Sequence, residues 1–282
     1  MTCEKQKRQL PLALIGAAIL TVFLVVAIFS PLLAPHDPFV RVGRPFLPPG
    51  GGHLFGTNDI GQDIFSELIY GSRLSLGLAV LAALVSTGIG TLLGLAAGFL
   101  GRPAERIIMR CADFILVLPF LPFAILLAAM LGQGFIQLVL VISVISWPVT
   151  ARIVRAQVLK IKGKGYILNL QAIGAGPWYL LRRHIFREVL PLVAYQAMLS
   201  ASNAVLIEAS LSFLGLGNPL MKSWGSILHY AQARNAMLTG TWLWWVIPPG
   251  LCIALLSAGF LLTGLYLETY ANPRVARGQA DA

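Results

Sequence analysis

From Pro11 to Leu33 the chain runs without a charged residue. Five further apolar stretches follow, at about Leu74–Leu100, Ile108–Leu131, Gly134–Val158, Leu190–Leu214 and Trp242–Tyr266. A bilayer core of roughly 30 Å is crossed by about 20 apolar residues of helix, and inside it the backbone must satisfy its own hydrogen bonds. The pattern predicts an all-α integral membrane protein with six transmembrane helices. Only 11% of residues are charged and 57% are hydrophobic, against about 25% charged in a soluble domain. The first stretch outruns the roughly 7–15 residues of a signal-peptide core and reads as an uncleaved anchor.

The net charge of +10 does not indicate nucleic-acid binding, because the basic residues sit in short loops between apolar runs. Of 21 Lys and Arg, only Arg41, Arg44, Arg73, Lys222 and Arg234 fall opposite the side of the N-terminus. The positive-inside rule then places both termini in the cytoplasm. Trp242, Trp244 and Trp245 fall at the expected outer interface. The resulting division is a tail at 1–10, an anchor at 11–34, an extracytoplasmic loop at 35–72, a core at 73–270 with an inner loop at 160–189, and a tail at 271–282. Gly90, Gly94 and Gly98 give the second span a face on which another backbone can approach closely.

Enzyme signatures are absent: there is no P-loop, HExxH or GxSxG, and no pair of carboxylates at useful spacing. His36, His53, His184 and His229 are scattered and read as loop or interface residues, so neither a catalytic nor a metal site is expected. Cys3, Cys111 and Cys252 lie too far apart for a metal or disulfide framework. The inner loop is more informative. Tyr166–Ile173 predicts two helical turns, stopped by Gly174-Ala175-Gly176, with Pro177 starting a second helix. Tyr166, Leu170 and Ile173 are assigned one face, and Leu168, Gln171 and Ala172 the other. Such a hairpin suits a groove on a partner, or equally a lipid headgroup layer. Within the fifth span, Glu208 either lines a pathway with Asn203 and Ser210 or makes a structural contact near the outer end, with Arg73 as a candidate partner. Asp113 is expected near the inner interface, with Arg110 one turn away.

Residues Tyr166–Pro191 resemble the EAA loop of ATP-binding-cassette importer permeases. HLFGTNDIGQDIFSELIYGSRLSL, MRCADFILVLPFLPFAILLAAMLG, EASLSFLGLG and the tail NPR resemble signatures of the dipeptide/oligopeptide/nickel branch, in the order found there. The single long outer loop resembles the C-type permease. The resemblance implies a binding-protein-dependent importer in which this chain pairs with a second, unlike permease, two ATPase subunits and an extracytoplasmic solute-binding protein. ATP and magnesium would be held by the ATPases, leaving this subunit without a cofactor. It implies ATPase coupling through Tyr166, Leu168, Gln171, Ala172 and Gly174. It also implies an outer-loop structure built on Gly56, Thr57, Asp59, Gly61 and Asp63. The solute would be a peptide, with nickel or a metal chelate as the alternative. There are departures: Leu168, Asn169 and Leu170 stand where that family carries Glu-Ala-Ala, Asn58 where it has Asp, and Gln62 where it has Arg. Leu168 and its apolar neighbours are then expected to dock by packing. Two other readings stay open at this point, a gradient-driven transporter and a membrane scaffold of the same fold that has lost coupling.

Overall fold

The computed structural model describes residues 2–271; Arg274, Arg277 and the NPR signature lie outside the described residues. The elements are α1 (Thr2–Ile28), α2 (Ser30–Leu33), α3 (Ile64–Phe99), α4 (Arg102–Val117), α5 (Phe120–Leu131), α6 (Phe135–Lys162), α7 (Gly165–Ala172), α8 (Pro177–Leu180), a π-turn (Leu181–Ile185), α9 (Phe186–Phe213), α10 (Trp224–Ala233), α11 (Trp242–Trp245) and α12 (Ile247–Ala271). Five helices are long and apolar enough to cross a membrane: the apolar part of α1, α3, α6, the run Pro177–Phe213, and the run Trp242–Glu268.

The third expected span is not a straight helix. α4 and α5 meet at a bend of 100°. Proline disfavours a helical residue before it, and Leu118, just ahead of Pro119, is extended (φ −68°, ψ 138°). α4 is also strongly two-faced, with Arg102, Arg106 and Arg110 at four-residue spacing, so only α5 is apolar throughout. The second span starts about ten residues earlier than expected. Asp63 caps α3, its carboxylate accepting the Ser66 N–H. The fifth also starts early, because α8, the π-turn and α9 run on as one helix.

α3 and α6 form the centre of the bundle. A Cβ on Gly90 would sit 2.8 Å from the Trp147 carbonyl oxygen, one on Gly94 2.7 Å from that of Ala151, and one on Gly98 2.7 Å from the Val158 Cβ. The glycine stripe thus joins two helices of one subunit. Around it pack α9 against α3 and α12, and α1 against α12.

The outer end is closed by side chains from distant segments. Trp224 is fully buried, its indole N–H donates to the Leu68 carbonyl at 2.9 Å, and Phe23 meets it edge-on at 5.3 Å. Trp245 is buried under Phe46, 6.0 Å away; the outer-interface position expected for it is corrected, because the long first outer loop covers it. Beside Trp224, the Lys222 ammonium donates to Glu67 at 2.6 Å and to Gln62 at 2.8 Å. The Asn58 amide donates to the same two oxygens.

Two predictions follow from these contacts. Gly94→Ala should cost about 1–3 kcal/mol through overpacking against a backbone that cannot yield. Gly77→Ala, where nothing lies within 4 Å, should be neutral or stabilise by up to about 1 kcal/mol; thermal unfolding of the purified chain distinguishes them. Lys222→Met leaves the Glu67 carboxylate buried without its cation and should cost about 3–5 kcal/mol. Adding Glu67→Gln should recover a measurable part of that loss in the same assay.

Candidate functional site

On the inner side, α7 is fastened to the bundle by Ile167, which is fully buried with Val154, Val158 and Ile161 of α6, Leu180, Ile185 and Val189. Leu170 packs against the same cluster. The inward face of α7 is therefore Ile167 with Leu170, and the expected grouping of Tyr166 and Ile173 with Leu170 is corrected. Ile173 is 81% exposed. Leu168, Gln171 and Ala172 do share the open side. Tyr166 is turned back onto its own chain: its hydroxyl donates to Glu188, which also pairs with Lys164. Loss of solvent and the Glu188 carboxylate together push the Tyr166 hydroxyl up to about 12, so it remains a donor at physiological pH.

α7 ends in a complete Schellman motif. Gly174 has φ +85°, its N–H bonds the Gln171 carbonyl, and the Ala175 N–H bonds that of Leu170. Pro177 opens α8, but the second short helix expected here is the start of the fifth span. Trp178 (72% exposed) and Tyr179 are exposed after the turn as Leu168 and Ile173 are before it, and Arg182, Arg183 and Arg187 border Trp178 and Tyr179. Close by, Arg152 pairs with Asp113 and Arg155 with Glu105. These pairs tie α4 to α6; Arg110 lies one turn from Asp113 as expected, and the ion pair of Asp113 is with Arg152.

An open cavity of about 690 Å³ lies between α4, α5, α6, α9 and the end of α12. Its walls are mostly apolar, with Ser146, Thr150, Tyr195, Gln196, Ser200, Asn203 and Glu268 as the polar lining. The Tyr195 hydroxyl bonds Glu268. Of the three side chains expected along a pathway, only Asn203 reaches this space. Ser210 is exposed and bonds its own helix at Leu206.

Glu208 is fully buried elsewhere. Its carboxylate accepts from Ser75 at 3.2 Å, from Ser212 at 2.8 Å, and from Ser223. Arg73 is not its partner. Three hydroxyls from α3, α9 and the start of α10 satisfy it instead, so Glu208 joins helices at the outer end rather than facing the cavity. Sequence reading missed Tyr195, Gln196 and Glu268; the recoverable signal was their polarity inside or at the end of apolar runs.

The outer-loop residues form a knot rather than a surface. Thr57 is buried, donating to the Arg44 carbonyl and accepting the Leu47 N–H at 3.0 Å. Gly56 and Gly61 have φ +70° and +83°, each with a carbonyl oxygen where a Cβ would lie. Asp59 pairs with Arg234 at 2.8 Å, bridging to the second outer segment. Asp63 caps α3 and accepts from His53 at 2.9 Å.

Residues 90–277 match the family described as binding-protein-dependent transport system inner membrane component, and residues 8–49 match the N-terminal TM domain of oligopeptide transport permease C. The chain is 35% identical over 272 residues to a probable D,D-dipeptide transport system permease protein of Escherichia coli, covering 96% of this chain and 90% of that one. It is 37% identical over 273 residues to a di/tripeptide transport system permease protein of Pseudomonas aeruginosa, covering 93% and 88%. A dipeptide transport system permease protein of Bacillus subtilis is 34% identical over 268 residues, covering 94% and 83%. The chain therefore belongs to the binding-protein-dependent transport inner membrane components, as a non-catalytic, multi-pass permease subunit of an ATP-binding-cassette importer in the inner membrane.

Proposed function

We propose that this subunit forms half of a translocation path for short peptides, with a second, unlike permease closing the open side of its cavity. The observation that carries this reading is the joining of two features on one helix. The exposed apolar surface of α7 and α8 is fastened by Ile167 to the inner ends of the spans, and α9 continues from that surface to Asn203 in the cavity wall. The cavity's amides, hydroxyls and single carboxylate, set in apolar walls, suit a solute with peptide groups and variable side chains. The relatives named for dipeptides and di/tripeptides support the same class.

One of two ATPase subunits would dock on Leu168, Gln171, Ala172, Ile173 and Trp178, the pair holding ATP and magnesium themselves. A solute-binding protein would engage the outer knot. Docking by packing explains how the loop dispenses with the family's carboxylate. The one acid available, Glu188, is spent on Lys164 and Tyr166 within the chain, which keeps α7 at a fixed angle for a partner groove.

With the native cysteines replaced, Leu168→Cys or Ala172→Cys should crosslink to the ATPase in the assembled complex, with a yield that changes on adding ATP. No crosslink in a complex that co-purifies with its ATPase would instead support a scaffold without coupling. Leu168→Asp should lower binding-protein-stimulated ATP hydrolysis about tenfold, the effect of roughly 1.4 kcal/mol at the interface. Asn203→Leu should reduce uptake of labelled dipeptide while leaving the crosslink intact; unchanged uptake would remove Asn203 from the path.

A further inference from the structure

His36, His53 and Asp63 come from three separate points of the outer segment: the residues just after α2, the middle of the loop, and the cap of α3. Their donor atoms nevertheless lie within 4.8 Å of one another. The His53 Nδ1 is 2.9 Å from one Asp63 oxygen, and the His36 Nδ1 is 3.9 Å from the other. The two imidazole rings are 5.0 Å apart. The His36 Nδ1 is buried and has no hydrogen-bond partner among the described residues. A buried polar atom left in this state is costly, and here it faces a carboxylate that already has a second imidazole on it. Both histidines and Asp63 are otherwise well anchored. The His36 backbone N–H bonds the Ser66 hydroxyl at 3.2 Å, and Asp63 also accepts from Ser66 at 2.7 Å and 2.9 Å.

We propose that His36, His53 and Asp63 bind a divalent transition-metal ion of the zinc class. Two imidazoles and one carboxylate form a donor set that suits zinc, with a water completing four-coordination. In a tetrahedral site at zinc-ligand distances of about 2.0–2.2 Å the donors stand about 3.4 Å apart, so the His53–Asp63 pair, here at 2.9 Å, opens slightly while His36 moves in. The contraction falls on His36, whose side chain is a third exposed and which offers the ion an entry path. The ion replaces the hydrogen bond between His53 and Asp63, and the neutral His53 ring then carries its proton on Nε2. Asp63 keeps its bonds from Ser66 through the other oxygen. The cluster shares no residue with the central cavity, so the ion is a staple of the outer loop, holding the exit of the first span to the start of the second, and not cargo.

The test uses the full chain in its assembled complex, purified through a tag without histidines, with zinc chloride as the probe. After gel filtration, one zinc per copy of this chain should remain, and competition with a chromophoric chelator gives its affinity. His36→Gln should weaken binding at least about tenfold, a loss of roughly 1.4 kcal/mol, with unchanged co-purification of the partner subunits. His229→Gln, at a half-buried histidine bonded to the Phe213 carbonyl and outside the cluster, should leave zinc binding intact. Zinc absent from the wild-type complex, or retained equally by His36→Gln, overturns the proposal. If His36→Gln does not assemble, zinc absorption spectroscopy on the wild type decides: two imidazoles and oxygen ligands support the site, and any other ligand set refutes it.

Discussion

The contact between α3 and α6 sets the rest of the bundle. Between helices in lipid there is no hydrophobic driving force, so association depends on how closely backbones can approach. Gly90, Gly94 and Gly98 provide that approach along two turns, and α6 answers with Trp147, Ala151, Val154 and Val158 at matching spacing. With those axes fixed, α9 takes the flank of α3, and α12 and α1 stack outward from it. The cavity is what remains where the bent α4–α5 pair leaves the bundle incompletely closed.

The outer end relies on a different resource. Glu67 and Glu208 are both buried carboxylates, satisfied in contrasting ways: Glu67 by the Lys222 ammonium and an amide, Glu208 by serine hydroxyls. Asn58 and Gln62, where the family pattern has Asp and Arg, form a neutral amide pair beside Glu67. The positive charge beside Glu67 comes from Lys222, on the other outer segment.

Features governed by local chemistry were legible in the sequence. The apolar runs placed the spans because a bilayer sets their minimum length, the glycine stripe identified a close packing face, and Gly174 with Pro177 marked the end of one inner helix and the start of the next. Features set by long-range contact were not. The Leu118–Pro119 bend depends on a proline whose effect in a span is sometimes a mild kink and here a break. α10 lies in a polar segment that reads as a loop until Trp224 is seen buried. The side-chain partners of Glu208 are 133 and 4 residues away for Ser75 and Ser212, and only the near one is visible as helical spacing. The inner loop's face assignment failed by one residue: Ile167, not Tyr166, turns inward, because a tyrosine can reach Glu188 while staying at the surface.

The fifth span joins the exposed surface at Trp178 and the cavity wall at Asn203, the two ends of the proposed mechanism, in a single body. From Trp178 to Asn203 the helix runs on through 26 residues, about 38 Å at 1.5 Å per residue, including one π-turn of a kind often found at functional sites. A push on the cytoplasmic end therefore reaches the cavity wall without any relay of side chains between them. The outer end is pinned by Glu208 and its serines, so a displacement at Trp178 would become rotation about that point. The cavity, lying between the two, would then receive a reduced share of the movement, and on the proposed docking the helix would act as a speed reducer.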